Sequence, residues 1–217
     1  FVKNERGAKW KNSFADFFEK SYLEQKHNAD IAFILPLSFT FSRDYILLRK
    51  QVLSDRSSLY VVNFDNIPDC IFKSGKPDSL NTNKANSQRC SMIFVSKDQK
   101  DRVFSTGLLR WSVAERQKIF STHPTFYDCP SIADEKQIPR PASSNIHDYF
   151  VNNGHKYTFS DLLNENGKNH IHVARVARNF ISVRDAPSSA NHSLTFKTKE
   201  DCLAGLTLLS SDIFFDY

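Results

Sequence analysis

Long apolar runs are missing from this 217-residue chain: the longest, such as Ile31 to Leu37, fall far short of the roughly 18 to 20 residues that a membrane-crossing helix needs. No amino-terminal signal pattern is visible either, so a cytoplasmic setting and no membrane partner are expected. Cysteine is sparse. Cys70, Cys90, Cys129 and Cys202 show no C-x-x-C spacing and no histidine at zinc-ligand distance, which argues against a metal site and for reduced thiols. Internal repeats and low-complexity tracts are absent too. The chain opens on Phe1 rather than Met and closes inside an amphipathic pattern, so both ends read as cut from a longer polypeptide.

The composition is that of a globular protein able to bury a core, with 40% apolar, 13% aromatic and 24% charged residues. Charge is uneven. Residues 1–120 carry 20 Lys/Arg against 13 Asp/Glu (+7), whereas residues 121–217 carry 9 against 11 (−2). The basic segment suits phosphate contacts, although a solvated basic face has the same composition.

Phe14, Phe17, Phe18 and Tyr22 recur at helical spacing, with Ser13 and Asp16 placed to cap, which predicts a helix over residues 13 to 26. The continuous apolar run 31–36 then predicts a strand covered on both faces in a parallel sheet, ended by Pro36. Ser42 is placed to cap a second helix to about Leu53, with Tyr45, Leu48 and Val52 on one face and the charged Arg49 and Lys50 opposite. Residues 59–64 and 90–95 predict two more strands, and 103–109 a further one. Between 59–64 and 90–95 lies a polar connection from Asp65 to Arg89, about 25 residues long, and connections of that length are often functional. Ser112 to Phe120 reads as a short helix. Prolines 124, 130, 139 and 141 then mark a boundary near Ser121. Beyond it, 171–176, 180–183 and 193–196 read as strands, and Thr198 as the cap of a last helix.

Five ordered segments carry a resemblance: Ala15-Asp-Phe-Phe-Glu-Lys-Ser-Tyr, Asp30-Ile-Ala-Phe-Ile-Leu-Pro-Leu-Ser-Phe, Tyr45-Ile-Leu-Leu-Arg-Lys-Gln-Val-Leu, Val61-Val-Asn-Phe and Cys70-Ile-Phe-Lys-Ser-Gly. Together, over about residues 1 to 97, they resemble the TaqI-like adenine-N6 DNA methyltransferases of restriction-modification systems. The resemblance implies an α/β fold: the carboxyl half of a Rossmann-like sheet, with three strands of which the last is antiparallel to its neighbours. Residues 1–120 would be that half, and residues 121–217 the start of an α+β DNA target-recognition region. Implied too are S-adenosylmethionine as cofactor and double-stranded DNA as partner.

Residue by residue, the resemblance makes Phe1 the last position of the family's Asn-Pro-Pro-aromatic motif, 35 residues before Pro36, with the rest of that motif and the glycine-rich cofactor loop upstream. The isolated fragment is therefore expected to be inactive. Phe72 matches the aromatic that packs against the flipped adenine, and Phe14 and Phe17 sit on the helix bordering the cofactor's adenine. Lys73 and Lys76 can reach phosphates. In the last segment His170, His172, Arg175, Arg178 and Arg184 form a basic cluster, of which Arg175 and Arg178 are the candidate DNA contacts. Two other readings fit the same residues: a DNA-binding module of this family without catalysis, and a different Rossmann-like enzyme acting on small molecules.

Overall fold

The computed structural model describes residues 10, 12–25, 29–54, 57–66, 68–72, 88–97, 101–121, 123–129, 133–153, 158–175 and 182–211. The expectations for Phe1, Lys73, Lys76 and Arg178 lie outside the described residues. The chain divides into two compact units, Phe1–Val151 and Asn152–Tyr217.

In the first unit, helix α1 (Ser13–Glu24) is capped by Asn12 rather than Ser13, the Asn12 side chain accepting from the Phe14 N–H at 3.4 Å. Its buried stripe is Ala15, Phe18 and Tyr22, while Phe17 stays 67% exposed. Strands β1 (Ile31–Pro36), β2 (Ser58–Phe64) and β3 (Cys90–Ser96) share one sheet. As expected, β3 runs antiparallel to both neighbours, pairing Phe33 with Ile93 on one side and Val61 with Ile93 on the other. β1 and β2 are thus parallel to each other across it. The sheet holds five strands, not three: β4 (Val103–Leu109) joins β2 in parallel, and β5 (Tyr127–Asp128) joins β4 antiparallel.

The expected cover on both faces of β1 is overturned. Ile31 and Leu35 are buried, but Ala32 and Ile34 are exposed. The reason is that α1 and helix α2 (Ile46–Ser54) bury their apolar residues in one core with Ile31, Leu35, Leu59, Val61, Ile93 and Val95, all on the same face. Across the strands, Ala32, Phe94, Tyr60 and Phe104 line up on the other face. There Tyr60 stacks on Phe104 with ring centroids 4.9 Å apart, over an open concavity of about 670 Å³ that reaches Phe126.

Arg49 also departs from expectation. Instead of standing on a solvated helix face it is fully buried, donating from Nη1 to the Phe39 carbonyl (2.7 Å), from Nε to that of Glu135 (2.9 Å) and from Nη2 to that of Lys136 (2.7 Å). A guanidinium is buried at tolerable cost only when its donors are matched in this way. Burial lowers its pKa to about 10, against a smaller opposing pull from Asp134.

These bonds tie the proline-rich stretch to the sheet unit. Ile138 N–H donates to the Thr40 carbonyl at 2.8 Å, β5 pairs with β4, and His147 of helix α3 (Ser144–Asn153) meets the Asp128 carbonyl at 2.8 Å. The structural division consequently falls after Val151, about thirty residues beyond the expected boundary near Ser121. Prolines there interrupt regular elements without ending the packed unit.

The second unit holds β6 (Asn169–Ala174), β7 (Val183–Arg184) and β8 (Asn191–Phe196) in an antiparallel sheet of order β7-β6-β8, followed by α4 (Lys199–Leu209). Thr198 caps α4 as expected, accepting from the Asp201 N–H at 3.0 Å. Its core is Ile171, Phe196 and Leu209 with Val173, Val183, Leu194 and Leu206 around them. The protein is a mixed α/β chain, and among the described residues no helix is long and apolar enough to cross a membrane.

Candidate functional site

The parallel strands β1, β2 and β4 all finish at one edge of the first sheet, at Pro36, Phe64 and Leu109. Ligands in open α/β sheets bind beyond the carboxyl ends of strands, because the loops that vary are there while the strands hold them rigidly. What aligns the strand ends is a buried polar network. The Asn63 side chain donates to Ser105 Oγ (3.1 Å) and the Thr106 carbonyl (2.8 Å) and accepts from Ser91 Oγ (2.9 Å). With every partner in place, such a network sets register rather than costing stability.

Directly beyond it stands Asp65, whose side chain is 2% exposed. It accepts from Arg89 Nε and Arg110 Nε at 2.7 Å each, and its own N–H donates to the Leu109 carbonyl at 2.9 Å. Burial pushes this carboxyl up, but the bonds from Arg110 and Arg89 and from the Asn66 N–H outweigh it and hold it below the ordinary carboxylate range. The carboxylate thereby fixes two guanidinium groups that remain 31% and 48% exposed at the strand ends. Arg140, over the Phe41 ring at 5.2 Å, adds a further cation whose pKa is lowered by burial and by Arg89.

Phe72 emerges from this edge and is 51% exposed, so it is not a core anchor. The backbone leading to it is clamped: Arg116, on the 3-10 turn Val113–Lys118, donates to Asp69 Oδ2 (2.9 Å), to the Cys70 carbonyl and to the Ile71 carbonyl (2.8 Å). That turn is held by Glu115, which accepts from the Ser112 N–H at 2.8 Å. Around the edge lie Phe64, Trp111, 5.8 Å apart and nearly perpendicular, and the exposed Phe120.

The other expected residues are dispersed. Phe14 is half-buried, its ring 5.0 Å from Tyr45, and Phe17 leans edge-on against Phe33 at 6.2 Å. Both lie on α1, over β1. Arg175 is in the second unit, exposed, with Nε donating to the Asn191 carbonyl at 3.3 Å. The cysteines are free thiols, Cys90 pushed up to about 11 and Cys129 to about 12, chiefly by burial. No group of three metal-binding side chains occurs among the described residues.

Sequence reasoning singled out the 65–89 connection but not the pair of arginines bound to its first residue. The available signal was positional: an acid directly after one strand, an arginine directly before the next, and another directly after β4. No protein-family model matches the chain, and no curated protein matches it.

Proposed function

We propose that this chain is part of an adenine-N6 DNA methyltransferase, transferring a methyl group from S-adenosylmethionine to an adenine turned out of duplex DNA. The observation that carries the reading is the sheet order. An antiparallel β3 inserted between parallel β1 and β2 is what the resemblance of residues 1 to 97 implies, and Phe72, the residue matched to base stacking, stands half-exposed at the carboxyl edge of those strands.

The chemistry asks for positioning. The exocyclic amine of adenine is a poor nucleophile because its lone pair is delocalised into the ring, so it must be held by polar acceptors and aimed at the methyl donor. Extruding the base costs a few kcal/mol, which an aromatic platform helps to offset. Phe72 can be that platform, and the Arg116 clamp on residues 69–71 reduces the entropy lost when its ring is fixed. Arg89 and Arg110, oriented by Asp65, offer cations to phosphates beside the extruded nucleotide.

S-adenosylmethionine supplies, when bound, an electrophilic methyl on a sulfonium. Of this chain's described residues Phe17 fits one apolar wall for its adenine, being two-thirds exposed and edge-on to Phe33, while Phe14 packs on Tyr45 one turn earlier in the same helix. The test is fluorescence of 2-aminopurine at the target position, bound to the polypeptide that carries this chain. Flipping should raise the emission, and Phe72→Ala should lower that rise while leaving the fold intact. Equal emission from both proteins would remove Phe72 from the base site.

A further inference from the structure

We infer that Arg140, with Arg89 beside it, binds a phosphate-type oxyanion at the carboxyl edge of the first sheet. The backbone brings the two together. Leu37, which opens the 3-10 turn Leu37–Thr40 after β1, donates its N–H to the Arg89 carbonyl at 3.0 Å. At the other end of the turn the buried Thr40 hydroxyl donates to the Leu37 carbonyl (2.8 Å) and accepts from Arg140 Nη1 (3.2 Å), while the Thr40 carbonyl takes the Ile138 N–H (2.8 Å). A close approach to β4 completes the placement. A Cβ added at Gly107 would stand 2.8 Å from the Pro141 carbonyl oxygen, so only glycine lets the residue after Arg140 lie against this strand, three residues before Arg110.

Charge at this point is unbalanced. Elsewhere in the unit the guanidinium groups are matched: Arg49 by three carbonyls, Arg102 by Asp128, Arg116 by Asp69. Arg140 is not. Its five N–H donors meet one hydroxyl, its guanidinium lies over the half-exposed Phe41 ring at 5.2 Å, and no carboxylate among the described residues bonds to it. Partial burial and the nearby charge of Arg89 both work against its cation and lower its pKa. A guanidinium stays charged all the same, so the two repel until they share an anion. Asp65 fixes Arg89 through Nε and does not bond Arg140.

Forks from two separate chain segments suit a tetrahedral phosphate, whose oxygens diverge, better than a planar carboxylate, which one fork satisfies. The Phe41 ring holds the guanidinium plane and reduces the entropy lost when an anion is bound.

Isothermal titration of the full chain with inorganic phosphate, at an ionic strength held constant with sodium chloride, tests the site. Wild type should bind, and Arg140→Gln should bind at least about tenfold more weakly, the loss of one charged hydrogen bond. Arg140→Lys keeps the charge without the fork and should fall between the two. Arg102→Gln, at the amino end of β4 and already paired with Asp128, should match wild type. Thermal unfolding gives a second readout: phosphate at about ten times its Kd should raise the wild-type Tm by roughly 3 to 6 °C and leave Arg140→Gln unmoved. Equal affinity of wild type and Arg140→Gln, equal losses in Arg140→Gln and Arg102→Gln, or no phosphate binding by wild type would overturn the inference. A nucleoside 5′-monophosphate and a dinucleoside monophosphate then separate the two sources of the anion. Tighter binding of the first marks a free phosphorylated ligand and of the second a phosphodiester backbone, with Arg140→Gln weakening either by about tenfold. None of these results requires methyl transfer, so a polypeptide that makes no N6-methyladenine would still show them.

Discussion

Arg49→Met keeps an apolar stem of similar length in the core but deletes the three donors that reach Phe39, Glu135 and Lys136. Hydrogen bonds from charged donors are worth about 1.5 to 3 kcal/mol each, so the gross loss for the three is about 4.5 to 9 kcal/mol. Two effects reduce it. The cost of burying the guanidinium disappears with it, and the carbonyls of Glu135 and Lys136 belong to a partly exposed segment that water can reach. The Phe39 carbonyl has no such recourse, being the backbone of a fully buried residue. A net destabilisation of about 3 kcal/mol follows, equivalent to a fall in Tm of roughly 6 to 12 °C for a chain of this size. The loss should be local first: the Ile138 amide, donating to Thr40 beside the lost bonds, should lose hydrogen-exchange protection before β2 does. Thermal unfolding by circular dichroism and exchange by mass spectrometry read both. An Arg49→Met protein with wild-type Tm and a protected Ile138 would show that the arginine does not hold residues 133–140 to the sheet.

Asp65→Asn should destabilise by about 1.5 to 3 kcal/mol at neutral pH, because it removes the buried carboxylate that accepts from Arg89 and Arg110. Since the folded carboxyl titrates below its unfolded value of about 3.9, its contribution is complete above that pH and is lost as pH falls through the lower folded value; the gap in Tm between wild type and variant should close there, and a constant gap would contradict the ion-pair origin. Gly205→Ala places a methyl 2.6 Å from Cε1 of the fully buried Phe196 ring, so the variant should lose about 1 to 3 kcal/mol, although helix propensity alone favours alanine by about 1 kcal/mol; a raised Tm would show that the ring yields. Phe72→Ala should cost about 1 to 3 kcal/mol of base stacking in a turnover assay, with Tm unchanged because half of the ring is already in water.

The strands were legible because their chemistry is local: the β-branched and aromatic runs at 31–36, 59–64 and 90–95 fall within one residue of the observed elements at each end, and the reversed direction of the last was what the resemblance implied. What escaped was tertiary. An apolar run such as Ile31 to Pro36 has the same pattern whether one face or both are covered, and only the placement of α1 and α2 on a common face decides it. Arg49 looked solvated because charge on a helix usually is; its burial depends on carbonyls more than eighty residues away in sequence. The boundary near Ser121 followed the prolines, and the backbone bonds that join Cys129 to Val103 and Ile138 to Thr40 within the first unit were invisible to composition. The Asp65 cluster joins three strand ends and needs the sheet order to be seen at all.

The central claim is tested most directly by incubating the polypeptide that carries this chain with unmethylated duplex DNA and isotopically labelled S-adenosylmethionine, then digesting the DNA and measuring methylated nucleosides by mass spectrometry. The proposed reading predicts label in N6-methyladenine and in no methylcytosine, with the yield lowered by Phe72→Ala. Label in cytosine, or a correctly folded protein that binds duplex and leaves no label in adenine, would contradict it.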